Sequence, residues 1–275
     1  MNKILNSYWF WMLAIGLLCW LLEALFTWRK SQRRLRPQLW QDMIFLLMNG
    51  HFFGLLLAYL SYWSIKGVVN LSGWFTLPDP HTIKLISQLS LPVQFVIFFI
   101  AKDFLEWCVH NLLHRVNFLW NIHKLHHSIT TMDWVGNFRF HYLEIILYRS
   151  LTWLPLIILG VNQKIILPMA IVTTLIGNLN HANIRISWGP LLYIINSSRM
   201  HIWHHDKICH KKYGQNFAIV FSLWDWVFGT AWYPDDIEQP KSLGFHDMNK
   251  FPLTKPLLYL LYPLVLRYHK KDKNS

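Results

Sequence analysis

Fifteen histidines occur in 275 residues, and eight fall into three tight groups: His110 and His114; His123, His126 and His127; His201, His204 and His205. On a helix, residues three and four apart share a face, so H-x-x-x-H and H-x-x-H-H each aim their imidazoles at one point. Such a face is a metal-ligand array. Neutral imidazole binds zinc, copper, iron or nickel, and a four-coordinate site needs only three or four of them. Eight converging histidines therefore imply two metals. His141 and His181 stand singly, at the two ends of an apolar hairpin, which brings them to the same level. His51, His81, His210, His246 and His269 read as structural or solvated.

The elements that must hold these groups are apolar. The chain is 53% apolar, 16% aromatic and only 15% charged, with mean hydropathy +0.24 concentrated in long runs. That composition excludes a disordered chain and describes an all-α, polytopic membrane protein. A first, uncleaved span is expected from about Tyr8 to Trp28 and a second from about Leu39 to Trp63. Between them RKSQRRLRP carries five positive charges, which fixes that loop as cytoplasmic. Ser64 to Ser90, broken by Pro78 and Pro80, becomes an outer or interfacial loop. A third span starts near Leu91 and runs inward through LPVQFVIFFIA into AKDFLEWCVHNLLHRV, so its cytoplasmic end carries His110 and His114.

Two further runs, 143–160 and 165–180, are joined by VNQK and read as a helical hairpin, partial or strongly tilted because Glu144 and Arg149 shorten its first arm. It returns to the cytoplasmic side at His181. Residues 182 onward suit a cytoplasmic helical cap, and LLYLLYPLVL is too short to span and lies at the interface. The chain thus divides into N-terminal transmembrane helices and outer loop (1–90), a histidine-box domain (91–233) and a C-terminal interfacial tail (234–275).

A net charge of +12 could indicate nucleic acid, but the clearest basic runs, Arg29 to Arg36 and Lys270 to Lys273, flank apolar runs and suit lipid headgroups or an acidic electron carrier instead. Three cysteines without C-x-x-C spacing give neither a disulfide framework nor a zinc ribbon. A zinc hydrolase would need H-E-x-x-H, which is absent. A metal transporter would spread its ligands around the bilayer midplane, whereas these gather at one surface.

The residues resemble the membrane-bound fatty acid hydroxylase and sterol desaturase superfamily over roughly 100–233. DFLEWCVHNLLHRV looks like its first histidine box, LWNIHKLHHS like the second, FRFHYLE like the R-x-H-P-x-E element, GNLNHANI like the single-histidine element and HIWHHD like the third box. KKYGQNF and LWDWVFGT are similar to the N-Y-G and W-D-x-x-F-G-T elements that follow. Tyr142 stands where the family has proline, and Lys212 where it has asparagine.

The resemblance implies a di-iron, oxygen-dependent lipid oxidase. His110, His114, His123, His126, His127, His201, His204 and His205 would bind two iron ions, with His181 a further ligand, His141 a candidate, and zinc substituting on purification. The implied reaction is hydroxylation or mono-oxygenation at a C–H bond of a sterol, fatty-acyl or alkyl-glycerol lipid. Desaturation at the same site is the alternative; a metal transporter or an inactive relative ranks lower. O2 is the implied co-substrate. Electrons must come from a separate reductase, ferredoxin, cytochrome or reduced pterin, because no G-x-G-x-x-G loop or fused haem segment is present. The membrane would be a bacterial inner membrane or the endoplasmic reticulum. Asp103, two helical turns before His110, is placed to accept an imidazole N–H or to pair with Lys102. Glu144, Asp206 and Asp225 are similar candidates.

Overall fold

The computed structural model describes residues 5–49 and 88–251, with Trp63, Lys66, Gly67, Asn70 and Leu261 besides. The later part of the expected second span, most of the outer loop, His51, His81, His269 and nearly all of the expected interfacial segment lie outside them. Among the described residues the regular structure is helical, with no strands. In chain order it comprises α1 (Tyr8–Leu25), α2 (Leu39–Leu47), α3 (Leu91–Arg115), α4 (Asn117–His127), a 3-10 turn (Trp134–Phe138), α5 (Tyr142–Ile158), α6 (Gln163–His181), a second 3-10 turn (Gly189–Tyr193), α7 (Ser198–His204), α8 (Leu223–Val227) and a third 3-10 turn (Met248–Lys250).

α1 buries Met12, Ile15, Gly16 and Cys19 along one stripe, against α6 and the Trp134 turn. Leu13, Leu17, Trp20 and Leu21 remain exposed. Among the described residues, α1 alone is long and apolar enough to cross a membrane. Helix composition among the described residues thus singles out one of the expected spans, the second lying largely outside them. α3 has 25 residues, but Lys102, Asp103 and Glu106 fall within its first 18. Those three residues serve the interior, as shown below. α3 is nonetheless one unbroken helix from the expected span into the first histidine pair.

Gly16 is required by close approach: a Cβ there would lie 2.7 Å from the Trp134 ring. Gly16→Ala is expected to cost about 1–3 kcal/mol through overpacking. A thermal melt superimposing on wild type would contradict this seam. Glu23, near the end of α1, accepts the backbone N–H groups of Trp134 (3.0 Å) and Asn183 (2.7 Å), tying α1 to the cap.

α5 and α6 are the two arms of the expected hairpin, but α5 packs chiefly on α3 while α6 packs chiefly on α1, the Trp134 turn and α7, and the space between them is open. Phe98, Phe99, Leu156, Ile165, Met169 and Val220 form the apolar core there. A second core of Met12, Leu46, Val135 and Phe138 joins α1 and α2 to the Trp134 turn.

The basic loop after α1 is only partly the free, headgroup-facing segment expected. Arg36 is 4% exposed, and its guanidinium donates to both oxygens of Asp133 (2.6 and 2.7 Å) and to Asp42 (2.6 Å). Arg139 donates to both oxygens of Asp42 (2.5 and 2.7 Å). Two arginines and two aspartates thus form a neutral buried network linking the loop, α2 and the segment after the second histidine box. Of the loop's other four charges, Arg29 is half-buried and donates to the Met132 carbonyl, and Lys30, Arg33 and Arg34 are exposed.

Candidate metal centre

α3, α4, α6 and α7 deliver nine imidazoles to one buried volume, in two adjacent groups. His110, His114, His123, His127 and His204 form one; His126, His181, His201 and His205 form the other. Within each group, one ligand atom per residue lies within 4.8 Å of all the others. His114 is half-buried and the rest are buried. The H-x-x-H-H box of α4 is split, His123 and His127 facing the first group and His126 the second, as residues one apart on a helix point in different directions.

The nitrogen pairs are close: His110 to His123 at 3.1 Å, His114 to His127 at 3.2 Å, His126 to His181 at 3.3 Å and His181 to His201 at 3.4 Å, all through Nε2. Ligands about 2.1 Å from a common ion are separated by about 3.0 Å at a right angle and about 3.4 Å at the tetrahedral angle. The observed separations fall within that range.

Protonation makes the case sharper. His110 Nδ1 lies 2.7 Å from the Phe217 carbonyl oxygen, which can only accept, so Nδ1 carries the proton and Nε2 a lone pair. His123 Nδ1 donates to Glu144 Oε1 at 2.7 Å, with the same consequence. The two Nε2 atoms therefore face each other as acceptors with no proton between them. His181 donates from Nδ1 to Gly177 O, and His204 from Nδ1 to Gln215 O, leaving two more bare Nε2 atoms. Both ring nitrogens of His205, and Nδ1 of His126 and His201, are buried without a hydrogen-bond partner. Buried polar atoms are almost always satisfied, and a pair of cations meets this need at the facing Nε2 atoms and at one nitrogen of His205, where a proton does not. The residues present fit two metal ions.

Burial holds His123, His126, His127, His201, His204 and His205 well below the ordinary histidine value of 6.5, with the neighbouring imidazoles adding to the effect. They are neutral ligands at neutral pH. Unfolded, they would take up protons near 6.5, so stability is full above that value and falls as pH drops below it. The chelator-treated protein is expected to melt lower at about pH 5.5 than at about pH 7.5. A flat or inverted dependence would count against this environment.

The supporting carboxylates differ from expectation. Asp103 touches no imidazole. It accepts the backbone N–H groups of Val220 (2.9 Å) and Phe221 (3.0 Å) and the Trp224 indole N–H (2.9 Å). Two helical turns place it on the face of His110, but the 217–221 segment lies between it and the ring. Lys102 pairs with Glu106 rather than with Asp103. Asp225 accepts from Phe217 N, Ala218 N, the Trp107 indole and Thr230. Both aspartates thus hold the segment whose Phe217 carbonyl orients His110. Asp206 accepts from His210 and Ile208 N. Glu144 is the carboxylate that does bond a clustered histidine.

His141 stands outside both groups. Its Nδ1 accepts the Leu143 N–H at the start of α5, and its ring packs on Tyr142. Tyr142 is the first residue of α5, a position that also favours proline. Lys212 rides over the Tyr213 ring. Gly214 has φ of +104°, and a Cβ there would come within 3.1 Å of His114 Nδ1, so a glycine is needed on both counts.

The centre opens onto a cavity of about 950 Å³. His110, His123, His126, His181 and His201 close one end. The walls are α6 from Gln163 to His181 at three- and four-residue spacing, α5 from Glu144 to Trp153, and Lys102 and Glu106 of α3. Along α6 that is about 27 Å. The space left between α5 and α6 is this cavity. Sequence reasoning missed it, and missed the roles of Asp42, Asp133, Arg139 and Gln215.

No solved structure matches the chain. Among curated proteins, it is 33% identical over 150 residues to ornithine lipid hydroxylase OlsE of Rhizobium tropici, covering 54% of this chain and 44% of that protein. It is 26% identical over 157 residues to very-long-chain aldehyde decarbonylase GL1-8 of Oryza sativa subsp. indica, covering 56% of each. It is 30% identical over 141 residues to alkylglycerol monooxygenase of Homo sapiens, covering 48% of this chain and 29% of that one. The matches thus span about half or less of these relatives. Residues 95–230, which contain all nine clustered histidines, match the fatty acid hydroxylase family, and the chain belongs to the fatty acid hydroxylase superfamily.

Proposed function

We propose that the chain is an oxygen-dependent di-iron lipid oxidase, a hydroxylase or monooxygenase acting on a C–H bond of a sterol, fatty-acyl or alkyl-glycerol type lipid. Residues 91–233 form its catalytic domain, 1–90 its transmembrane helices and outer loop, and 234–275 an interfacial tail. The observation that carries this reading is the pair of imidazole groups, with bare Nε2 atoms facing each other at the closed end of a long cavity. The relatives named for lipid hydroxylation and alkylglycerol mono-oxygenation point the same way.

His110, His114, His123, His127 and His204 would hold one iron, and His126, His181, His201 and His205 the other, with zinc able to replace both. When bound and reduced, such ions activate dioxygen toward unactivated C–H bonds. The protein's part is positional. Phe217 O, Gln215 O, Gly177 O and Glu144 fix four ring tautomers. Ile145, Trp153, Ile166, Leu167 and Ala170 give the cavity apolar wall that takes a lipid chain and sheds water. Electrons arrive from a separate reductase, ferredoxin, cytochrome or reduced pterin.

With 18O2, a reductant and a mixed lipid extract, the expected product is a lipid carrying one 18O atom, absent with His127→Ala. Product without 18O from O2 contradicts the monooxygenase reading, and an unlabelled lipid lighter by two hydrogens is the desaturase outcome.

We place the centre on the cytoplasmic side of a bacterial inner or endoplasmic reticulum membrane. α1 spans, and the exposed apolar face of α3, including Val93, Val96 and Ile100, meets lipid. Cys209 is exposed beside the third histidine group, whereas Cys19 is buried. A membrane-impermeant maleimide is expected to label Cys209 in inverted vesicles and not in intact cells. Labelling in intact cells would reverse the orientation.

A further inference from the structure

The cavity wall carries a buried ion pair beside the metal centre. Glu106 lies one turn before His110 on α3 and Lys102 one turn before that, and all three face the cavity. Lys102 is 2% exposed and Glu106 6%. Lys102 Nζ donates to Glu106 Oε1 at 2.5 Å and to Thr173 Oγ1 at 3.3 Å, and sits 5.3 Å from the centre of the Trp153 ring. The ammonium thus has two hydrogen-bond acceptors and an aromatic face beside it.

Glu106 is not satisfied in the same way. Its Oε2 is buried and accepts no hydrogen bond. The donors that reach this residue are committed elsewhere. Tyr148 gives its phenolic proton to the Glu106 backbone oxygen at 3.2 Å, and Thr173 gives its hydroxyl proton to Met169 O at 2.9 Å. A strong acceptor is therefore left open beside Lys102 in a low-dielectric wall, where an unmet carboxylate oxygen is costly; Glu144 Oε2, the other unmet carboxylate oxygen of this cavity, belongs to the residue that already accepts from His123.

The charge of the missing partner follows from the pair itself. Lys102 already pairs with Glu106, so a cation at Oε2 would lie close to an ammonium. A neutral donor, a hydroxyl or an amide N–H, meets the remaining lone pairs without that repulsion.

We propose that Glu106 is a specificity-determining residue, whose free carboxylate oxygen accepts a hydrogen bond from a hydroxyl or amide N–H of the lipid. That contact fixes which carbon stands at the histidines, since His110 is one turn, about 6 Å, further along α3. The inference rests on the reading of the cavity as the lipid site. It narrows the substrate to long-chain lipids with a neutral donor a short distance from the oxidised carbon, and disfavours pure hydrocarbons and lipids with only ester or ether oxygens in that region.

The test uses full-length, zinc-loaded protein in detergent, so that no turnover occurs, and two matched probe pairs. N-hexadecylacetamide is compared with N-hexadecyl-N-methylacetamide, and hexadecanol with hexadecyl methyl ether. Each second member keeps the chain and loses the donor. Wild type is expected to bind the donor of at least one pair roughly tenfold tighter, and the pair that discriminates tells amide from hydroxyl. Lys102→Met/Glu106→Met, which removes both charges together, is expected to bind both members alike. Glu106→Gln, isosteric and uncharged, is expected to fall between, and carries the test where the double variant does not fold. Absence of any preference in wild type, or a preference that survives in both variants, overturns the proposal. Metal content of the same samples reports separately on the dimetal reading: wild type that discriminates without holding metal leaves Glu106 in place and removes the centre.

Discussion

Asp42→Ala is expected to destabilise the protein by about 3–5 kcal/mol, because it leaves an unpaired positive charge in a buried network. Arg36 would then keep Asp133 alone, and Arg139 would lose both of its carboxylate contacts. The loss reaches the metal centre. Arg139 also donates to the backbone and side-chain oxygens of Ser128, the residue directly after His127. Thermal unfolding of detergent-solubilised protein should show a drop on the order of 10 °C, with metal retained less well. Asp42→Asn should be nearly as damaging, since charge rather than volume is what is removed. A shift of under about 1 kcal/mol for both variants would mean that the network is no more than a surface ion pair in strength.

Glu144→Ala carries the second large effect. The Glu144 carboxylate takes the Nδ1 proton of His123 at 2.7 Å and so points the Nε2 lone pair at the first ligand group. Removing such a partner typically costs 10–100-fold in metal affinity. Competition against a chelator should show that loss for Glu144→Ala with the fold intact. Glu144→Gln keeps an oxygen acceptor and should lose less. Equal affinity in wild type and Glu144→Ala would mean that the His123 tautomer is set by something else.

The ligand groups were legible because helical periodicity is local. H-x-x-x-H on α3 and H-x-x-H-H on α4 declare their shared faces within five residues, and His181 follows from the end of an apolar run. What periodicity does not declare is the neighbour. Asp103 is on the face of His110, yet the 217–221 segment, more than 110 residues away in sequence, takes its oxygens. Arg36 and Arg139 read as a lipid-facing charge and a motif residue. Their partners lie 97 residues off, and such pairing leaves no periodic trace. His141 reached the right end of its helix but spent its Nδ1 on a cap, which a lone histidine at a helix start can do as well as ligate.

Span counting was the least legible part. Lys102, Asp103 and Glu106 make α3 look too polar to cross a membrane, although each is buried against a partner inside the fold. Hydropathy counts charges without knowing which way they face. The cavity was invisible for a related reason: α5 and α6 read as a helical hairpin, and it is their packing on different neighbours, α5 on α3 and α6 on α1, the Trp134 turn and α7, that holds them apart.

The most direct test of the central claim is metal content per chain, measured by mass spectrometry on anaerobically purified protein, with His127→Ala from the first ligand group and His205→Ala from the second. About two metals per wild-type chain, iron or substituted zinc, are expected, falling to about one in each variant. Fewer than about one metal per wild-type chain, unchanged by either substitution, would contradict that claim.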